Sequence, residues 1–241
     1  MLEVRGIHTF RGPVHVLRDV SLRVGDREAV CLVGRNGAGK TTTIESIMGF
    51  LPLRGGGVTY GGREIARLRP HERARAGIGY APENSGIFPD LTVAENLQIS
   101  LWLAAGHATG RGGAVATVEA TEARIFSVFP EVRPLMGRRG LHLSGGEKKM
   151  VAVARAMALQ PTVLLLDEAF EGLAPVVVNR FVEAVEKIKS MGISLLLAES
   201  NVTTATRIAD RLYAIDRGEI IFEGRPEGVL ANEDVLRTIR G

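Results

Sequence analysis

Cysteine is almost absent from this sequence, since Cys31 is the only one in 241 residues. An internal disulfide is therefore excluded. Cys31 lies within the apolar run AVCLV, which predicts a buried structural thiol rather than a reactive one and fits a reducing, cytoplasmic compartment. Long apolar runs are also missing. None approaches the roughly 18 residues that a membrane-spanning helix needs, and the first ten residues lack the apolar core of a signal peptide. We therefore expect any role at a membrane to depend on a partner protein.

Blocks of basic residues are missing as well. Lys and Arg number 30 against 27 Asp and Glu, which gives a formal net charge of +3. Because these charges are scattered along the chain, they predict a mixed-charge surface and no nucleic-acid partner. The five histidines show no spacing typical of a metal site.

The residues that are present predict an α/β fold. Hydrophobic residues make up 45% of the chain, which is enough for a substantial core. Short apolar segments alternate with helical patterns, and this order favours a mainly parallel sheet. A closing hairpin is predicted from RLYAI and EIIFE, with its turn at residues 216–218. The other predicted strands cover residues 2–7, 20–24, 29–33, 58–60, 78–81, 163–166 and 194–198.

The middle of the chain differs from the rest. Between residues 91 and 159 we find no convincing strand. A helix is predicted to begin at Thr92, whose hydroxyl can cap it while Glu95 reaches back to complete a capping box. The Gly-rich stretch at 106–114 would separate this helix from a second one that ends near Phe129. The pattern predicts one domain over 1–241, with a core of 1–83 and 160–241 and an inserted helical subdomain at about 84–159.

The first chemical motif is GRNGAGKT at 34–41, which fits G-x-x-x-x-G-K-[ST] directly after a predicted strand. Its glycines let consecutive backbone N–H groups turn around a polyphosphate, at the positive end of the helix that follows. Lys40 would then span the β- and γ-phosphates, and Thr41 could bind Mg²⁺. A Gly-rich turn with a solvent-facing lysine is the alternative. The order of strand, loop and helix disfavours that alternative.

The second motif, VLLLDEA at 163–169, is an apolar strand that ends in two carboxylates. A buried parallel strand delivers its last side chains to the carboxyl edge of the sheet, where ligands bind. Asp167 is suited to holding Mg²⁺, usually through water, and Glu168 to polarising the water that attacks the γ-phosphate. On its own the pair DE is more typical of a solvated loop. Together with the phosphate loop, it predicts the second half of an NTPase site.

The third motif is LSGGE at 143–147, just before the helical pattern EKKMVAVARAMAL. Ser144, Gly145 and Gly146 would form a second anion site at a helix N-terminus. If both sites cannot reach one nucleotide, the second one must serve the nucleotide of another subunit. A capped helix start without a ligand is the alternative. A kinase, another class of phosphate-loop protein, would give no reason for this motif.

On these residues nearly the whole chain resembles the ATP-binding subunits of ATP-binding cassette (ABC) transporters. The resemblance implies a P-loop NTPase core with a mainly parallel sheet, an N-terminal antiparallel β portion and an inserted α-helical subdomain. It places Phe10 on the adenine of ATP, and it implies Glu168 and Lys40 as catalytic residues. Mg²⁺ would be held by Thr41, Asp167 and Glu83. The phosphates would be bound by the Walker A residues Gly34, Asn36, Gly37, Ala38, Gly39, Lys40, Thr41 and Thr42.

The resemblance also implies an assembly. In that family two such subunits dimerise head to tail, and each ATP lies between the phosphate loop of one and the signature motif of the other. Two transmembrane permease subunits complete the transporter, so the chain would sit at the cytoplasmic face of the inner (plasma) membrane. The segment 82–92 would face the membrane partner. Phe88 and Pro89 could contact a coupling helix there, with ordinary loop packing as the alternative.

Several stretches are similar to one branch of the family, the ATP-binding subunits of branched-chain amino-acid importers. They are GIGYAPE, IFPDLTVAENL, LSGGEKKM, EGLAP and AESN. This likeness implies a second, related ATP-binding subunit and, indirectly, a solute-binding protein, and it favours a heterodimer over a homodimer. The same branch also carries urea, short amides and other small polar solutes. No residue of this chain reports the cargo.

Departures from the family pattern bear on the mechanism. Glu83 stands where many members have Gln, and its charge would weaken ATP binding unless Mg²⁺ compensates. Ser200 stands where a switch histidine commonly contacts the γ-phosphate, and a serine supplies neither charge nor acid–base chemistry near neutral pH. We expect residues 199–201 to face the γ-phosphate, with Asn201 also capping the next helix. Two functions remain open: a Mg²⁺-dependent ATPase that resets an importer, and an ATP-gated dimerisation module whose partner does most of the hydrolysis.

Overall fold

The computed structural model describes residues 1–105 and 117–240 of the chain. The Gly-rich stretch predicted at 106–114 lies outside the described residues. Within the described residues, the strands in chain order are β1 (Leu2–Arg11), β2 (Val14–Val24), β3 (Ala29–Val33), β4 (Leu53–Tyr60), β5 (Arg63–Glu64), β6 (Ile78–Ala81), β7 (Val163–Asp167), β8 (Ser194–Glu199), β9 (Arg211–Asp216) and β10 (Glu219–Gly224).

In the described part of the chain the helices begin after β3, and short 3-10 helices cover Pro130–Leu135 and Gly140–His142. The α-helices are α1 (Lys40–Met48), α2 (Pro70–Ala76), α3 (Val93–Ala105), α4 (Val118–Val128), α5 (Gly145–Ala158), α6 (Pro175–Ser190), α7 (Val202–Ile208), α8 (Pro226–Ala231) and α9 (Glu233–Arg240). None of the described helices combines the length and the apolar character needed to cross a membrane.

The central sheet has the strand order β10-β9-β3-β8-β7-β6. Strands β9, β3, β8, β7 and β6 run parallel, and β10 closes the edge as the antiparallel half of the predicted hairpin. Every residue of β3, β7 and β8 is buried, as expected for strands covered on both faces. The carboxyl ends of these three strands therefore meet at one edge, where the chemical motifs begin.

Alternate residues of the central strands enter two separate cores. Cys31, Leu164 and Leu197 face a core shared with α3, α4, α5 and α6. Leu32 and Leu165 face a second core, which contains α1 and the apolar residues of the N-terminal strands. This period-two division is what a strand with two covered faces requires. Cys31 is fully buried, as predicted, and burial raises the pKa of its thiol well above the ordinary value.

An antiparallel sheet with the order β2-β1-β4-β5 confirms the predicted N-terminal β portion. Its strands are longer than the sequence predicted. Strand β1 continues to Arg11 through register shifts after Val4, Ile7 and Thr9, and Gly6 has a φ of 54°. Bulges break the alternation of apolar and polar residues. The alternation of apolar and polar residues therefore did not predict the second half of β1, which carries Phe10 and Arg11.

The helical part of the chain contains α3, α4 and α5. The capping box at Thr92 is confirmed, because its backbone N–H donates to Glu95 at 2.7 Å and the Glu95 N–H donates back to its hydroxyl at 3.2 Å. Leu97, Ile125 and Val151 pack from these helices into one core with the sheet. The predicted α/β fold with inserted helices is confirmed, whereas the boundaries near 84 and 159 remain a prediction.

Candidate active site

The loop between β3 and α1 turns sharply at two glycines. A side chain at Gly34 would place its Cβ 2.3 Å from the backbone oxygen of Ile215, so only glycine fits there. Gly39 caps α1 with a φ of 115°, a backbone conformation that other residues rarely adopt. The helix therefore begins at Lys40 with its free N–H groups turned toward the loop. Such an end is a general site for phosphate groups.

Lys40 is buried, with 4% of its surface exposed. Its ammonium group donates to the backbone oxygen of Gly34 at 2.9 Å and to that of Arg35 at 3.1 Å. It also lies 2.9 Å from Oε1 of Glu168. An ammonium has three donors, and all three are engaged. A phosphate oxygen can therefore reach Lys40 only by replacing one of these partners.

Glu168 follows β7 and has both carboxylate oxygens engaged. Lys40 holds Oε1, and Oε2 accepts hydrogen bonds from the backbone N–H and the hydroxyl of Ser200, each at 3.2 Å. The backbone φ of Glu168 is 48°, which costs on the order of 1 kcal/mol for a residue with a side chain. Backbone contacts support this conformation: the Glu168 N–H donates to the Ala198 oxygen at 2.9 Å, and the Glu168 backbone oxygen accepts from the Lys149 ammonium and from the Glu171 N–H.

Asp167 ends β7 and is buried beside the start of α1. Its Oδ1 accepts a hydrogen bond from the Thr41 hydroxyl at 3.1 Å. Its Oδ2 is buried and has no hydrogen-bond partner among the described residues. Burial raises the pKa of this carboxyl to about 6, and the charges of Glu168 and Glu83 act in the same direction. An unpartnered buried oxygen beside a hydroxyl fits a hard cation that takes oxygen ligands.

A cleft of about 550 Å³ is lined by Lys40, Thr41 and Glu168 but not by the predicted metal ligand Asp167, and its size is typical of small-molecule sites. The structure brings eight of the predicted site residues to its wall. Arg11, Val16 and Glu171 also line it, although no motif predicted them. The predicted residues on the wall are Asn36, Gly37, Gly39, Lys40, Thr41, Thr42, Glu83 and Glu168.

Other predicted residues lie away from this wall. Gly34 and Ala38 belong to the same loop but are buried and do not line the cleft. Phe10 stacks on His15, with 4.2 Å between ring centroids and 3° between ring planes, so a base could stack only on the opposite face of Phe10. The signature residues Ser144, Gly145 and Gly146 are not among the described residues that line the cleft.

The signature motif forms the N-terminus of α5. The Ser144 hydroxyl accepts the Glu147 N–H at 3.3 Å, and the Ser144 N–H donates to Glu147 at 2.7 Å. Ser144 and Gly145 are exposed, and a Cβ at Gly145 would meet nothing within 4 Å. The capped helix start is thus present and accessible. Its role toward the nucleotide of another subunit stays a prediction.

The polar end of β8 departs from the expectation that residues 199–201 all face the γ-phosphate. Glu199 is buried and its Oε1 accepts the Phe170 N–H at 3.4 Å. Burial, and after it the charge of Glu168, raise its pKa to about 8, which favours the protonated form. Asn201 caps α7 by accepting the Thr204 N–H at 3.0 Å, as predicted. Glu199, Ser200 and Asn201 line a separate cavity of about 230 Å³, and of the three side chains that of Ser200 bonds to Glu168.

Replacing Ser200 with alanine is expected to lower the rate of ATP hydrolysis by no more than about tenfold. The change removes one 3.2 Å hydrogen bond to Glu168, while the Ser200 N–H and Lys40 still hold both oxygens, and one such bond contributes about 1 kcal/mol. Steady-state phosphate release by the purified variant measures this. Ser190→Ala, at the exposed end of α6, is the matched control. A loss of about 100-fold, the size expected when a general base is removed, would contradict the minor role of the serine.

Comparisons with known proteins agree with this geometry. The profile of a family described as "ABC transporter" matches residues 17–171. The chain is 32% identical over 235 residues to the high-affinity branched-chain amino acid transport ATP-binding protein BraG of Pseudomonas aeruginosa, with 98% of this chain and 97% of BraG covered. It is 35% identical over 228 residues to the lipopolysaccharide export system ATP-binding protein LptB of Escherichia coli, with 94% and 91% covered.

Solved structures give the same result. A nucleotide-free ATP-binding cassette from an ABC transporter superposes with a TM-score of 0.85 at 27% identity, covering 100% of this chain and 99% of that one. The ADP conformation of an ATP-binding cassette of an ABC transporter gives a TM-score of 0.84 at 27% identity, covering 100% and 98%.

Proposed function

The chain belongs to the ABC transporter family as an ATP-hydrolysing subunit, and we propose that it powers an importer of branched-chain or other small polar amino acids. The hydrolytic part of this proposal depends on one observation. Lys40 from the phosphate loop and Glu168 from β7 meet as a buried pair at the wall of one cleft. Phosphoryl transfer needs a cation on the transferred phosphate and a carboxylate that orients the attacking water, and this cleft holds one of each side by side.

In the proposed mechanism the polyphosphate lies on the N-terminus of α1. Its γ-phosphate displaces Glu168 from Lys40, because the ammonium has no free donor. Lys40 then balances the charge that develops during transfer. Thr41, Asp167 and the exposed Glu83 are the proposed Mg²⁺ ligands, a proposal supported by the Thr41–Asp167 hydrogen bond and the unpartnered Oδ2 of Asp167. When bound, Mg²⁺ would neutralise charge on the phosphate oxygens.

Glu168 is the proposed water-positioning base. Once Lys40 turns to the phosphate, Oε1 of Glu168 becomes available to accept a hydrogen bond from the attacking water. Oε2 remains fixed by the two Ser200 donors, so the direction of the carboxylate is kept. Burial and the charge of Glu168 raise the pKa of Glu199, which favours its neutral form beside the proposed base. The Glu168 carboxylate would therefore stay oriented toward the water beside the γ-phosphate.

We propose that two cassettes close head to tail on ATP, as homodimer or heterodimer. The accessible N-terminus of α5 supports this, since Ser144 and Gly145 are exposed and lie outside the chain's own cleft. A second chain could bring its phosphate loop to this helix end. The nucleotide would then be held by both subunits, so ATP binding would favour the closed dimer.

The loop at 82–92 is the proposed contact with two transmembrane permease subunits. Phe88 is 44% exposed and lies under the Arg155 guanidinium, 4.9 Å from ring centroid to Cζ. Leu141 is also 44% exposed, and its N–H donates to the backbone oxygen of Pro89 at 2.8 Å. These apolar side chains border the inserted helices. The chain would thereby bind peripherally at the cytoplasmic face of the plasma membrane.

Import of amino acids is supported by the stretches similar to branched-chain importers and by the likeness to BraG. A solute-binding protein would then deliver the cargo to the permeases. LptB, named for lipopolysaccharide export, is matched at a similar level, so export of a lipid-linked glycan is the second candidate function. In either direction the cassette would perform the same hydrolysis, and the membrane subunits would choose the cargo.

Uptake measurements on cells that make this chain test whether the transporter imports amino acids. With the Glu168→Gln allele in place of the normal gene, uptake of radiolabelled leucine, isoleucine or valine is expected to fall to the background of a gene deletion. The Glu171→Gln allele, which removes an exposed carboxylate from the same cleft, serves as the control and should retain uptake. Normal uptake combined with loss of surface lipopolysaccharide would overturn the importer proposal in favour of export.

A further inference from the structure

We propose that Arg11 is a nucleotide-binding residue, which donates to the α- or β-phosphate of ATP from the hairpin side of the cleft. This inference rests on the proposed function of the cleft as the ATP site. Arg11 ends β1 and pairs across the hairpin with Val14. Its side chain lines the cleft together with Val16. It belongs to none of the three sequence motifs.

The contacts of Arg11 place its charge at the phosphate-binding end of α1. Its Nε donates to the hydroxyl of Thr42 at 3.3 Å, and Thr42 is in the first turn of that helix. Its Nη2 forms an ion pair with Glu45, one turn further along the helix. The guanidinium therefore lies one hydrogen bond away from the helix end that would bind the polyphosphate.

Arg11 can accept a phosphate without giving up these partners. Nη1 donates no hydrogen bond within the described part of the chain, and 46% of the side chain is exposed. A guanidinium has five N–H donors in a fixed fork, which matches the geometry of phosphate oxygens. Lys40 differs, because each of its three donors already has an acceptor.

The charges around the cleft give Arg11 a clear role. Among the described residues that line it, Glu83, Glu168 and Glu171 are carboxylates, whereas Arg11 and Lys40 are the cations. Because carboxylates outnumber cations on this wall, the charge of Arg11 would favour binding of a polyanion there. Lys40 lies at the Glu168 end, where the γ-phosphate would be. Arg11 follows Phe10, the proposed adenine contact, and it also contacts Thr42. Its charge would therefore lie at the adenine end of the cleft, away from Glu168.

This position predicts which ligands depend on Arg11. ATP and ADP share the α- and β-phosphates, so both should lose affinity by a similar factor when Arg11 is replaced. Adenosine lacks phosphates and should be unaffected. Because the contact is equal in ground state and transition state, KM for ATP should rise while kcat stays unchanged.

Two other roles for Arg11 must be separated from this one. Arg11 could tie the hairpin to α1 through Glu45, or it could only neutralise the Glu45 carboxylate near the phosphates. If it were a tether, Glu45→Gln would weaken ATP binding as much as Arg11→Ala does. If it were only a neutralising charge, Glu45→Gln would restore the affinity that Arg11→Ala loses. Direct phosphate binding predicts neither result.

The test is equilibrium binding by calorimetry with ADP, the non-hydrolysable analogue adenosine 5′-(β,γ-imido)triphosphate, and adenosine. Arg11→Ala is expected to weaken both phosphorylated ligands by about tenfold, the usual effect of one charge-assisted hydrogen bond. Glu45→Gln should bind at least as tightly as the unmodified chain. The double variant Arg11→Ala/Glu45→Gln should remain about tenfold weaker than Glu45→Gln. Arg5→Ala, which removes the same charge from an exposed site on β1, is the control and should bind normally.

Affinity of Arg11→Ala within twofold of the unmodified chain would overturn the proposal, as would full restoration by Glu45→Gln in the double variant. Arg11→Gln provides a second test if the alanine variant folds poorly, and the thermal midpoints without ligand check folding. If the unmodified chain binds none of the phosphorylated ligands, the proposed ATP site fails instead. Arg11→Ala should also raise KM for ATP by about tenfold with kcat within twofold.

Discussion

Glu168→Gln is expected to abolish ATP turnover, lowering kcat by at least about 100-fold, because general-base catalysis contributes factors of this size. The amide keeps the shape of the side chain and can still accept the Ser200 hydrogen bonds on its oxygen. It cannot act as a base, and it no longer forms an ion pair with Lys40. Lys40 is then free to bind phosphate, so affinity for ATP should be equal or higher.

Two measurements on the purified chain check this result. Steady-state phosphate release gives kcat, and calorimetry with Mg²⁺ and ATP gives the affinity. Glu171→Gln is the matched control, since Glu171 is an exposed carboxylate on the wall of the same cleft. It should retain most of the turnover. Full turnover by Glu168→Gln would remove Glu168 from the mechanism, and loss of ATP binding would show that the residue has a structural role instead.

Lys40→Met is expected to lower the affinity for ATP by at least about 100-fold, as the loss of a buried cation from a phosphate site implies. The substitution also leaves Glu168 buried without its counter-ion, because 4% of the Lys40 side chain and 6% of the Glu168 side chain are exposed. Breaking a buried pair in this way costs roughly 3 kcal/mol. The ligand-free variant should therefore unfold at a lower temperature.

A second substitution separates the two effects of Lys40. In Lys40→Met/Glu168→Gln the buried carboxylate is gone, so the thermal midpoint should recover most of the loss. ATP affinity should stay low, because no cation has been restored. Lys187→Met, at an exposed position on α6, is the control for loss of a lysine and should change neither property. A double variant as unstable as Lys40→Met would show that the ion pair does not account for the stability loss.

The parts of the fold and site that the sequence predicted are those with local signals. Strand β3, its Gly-rich loop and the start of α1 follow one another in the chain, and the apolar run of β7 ends at Asp167 and Glu168. Hydrophobic periodicity, turn residues and short motifs are signals between residues that are close in the sequence, so they can predict such elements. The capping box at Thr92 and the cap at Asn201 were predicted for the same reason.

The parts that the sequence did not predict depend on contacts between distant segments. Arg11 meets Thr42 and Glu45 only because bulges let β1 continue past its apolar half. Lys149 reaches the backbone of Glu168 from α5, the helix that precedes β7. Glu199 was expected at the phosphates, but its side chain turns to the Phe170 N–H. The spacing of residues along the sequence does not predict these contacts between distant segments.

The central claim is that this chain itself hydrolyses ATP for a transporter, with Glu168 as the base. The most direct test is ATP turnover by the transporter complex that co-purifies with the tagged chain from detergent-solubilised membranes. Glu168→Gln would be introduced in this chain alone. We predict that the complex loses at least half of its ATP turnover, because one of its two sites no longer hydrolyses ATP. If the two sites act together, it loses most of its turnover. Unchanged turnover would contradict the claim, because hydrolysis would then occur at the partner subunit's site.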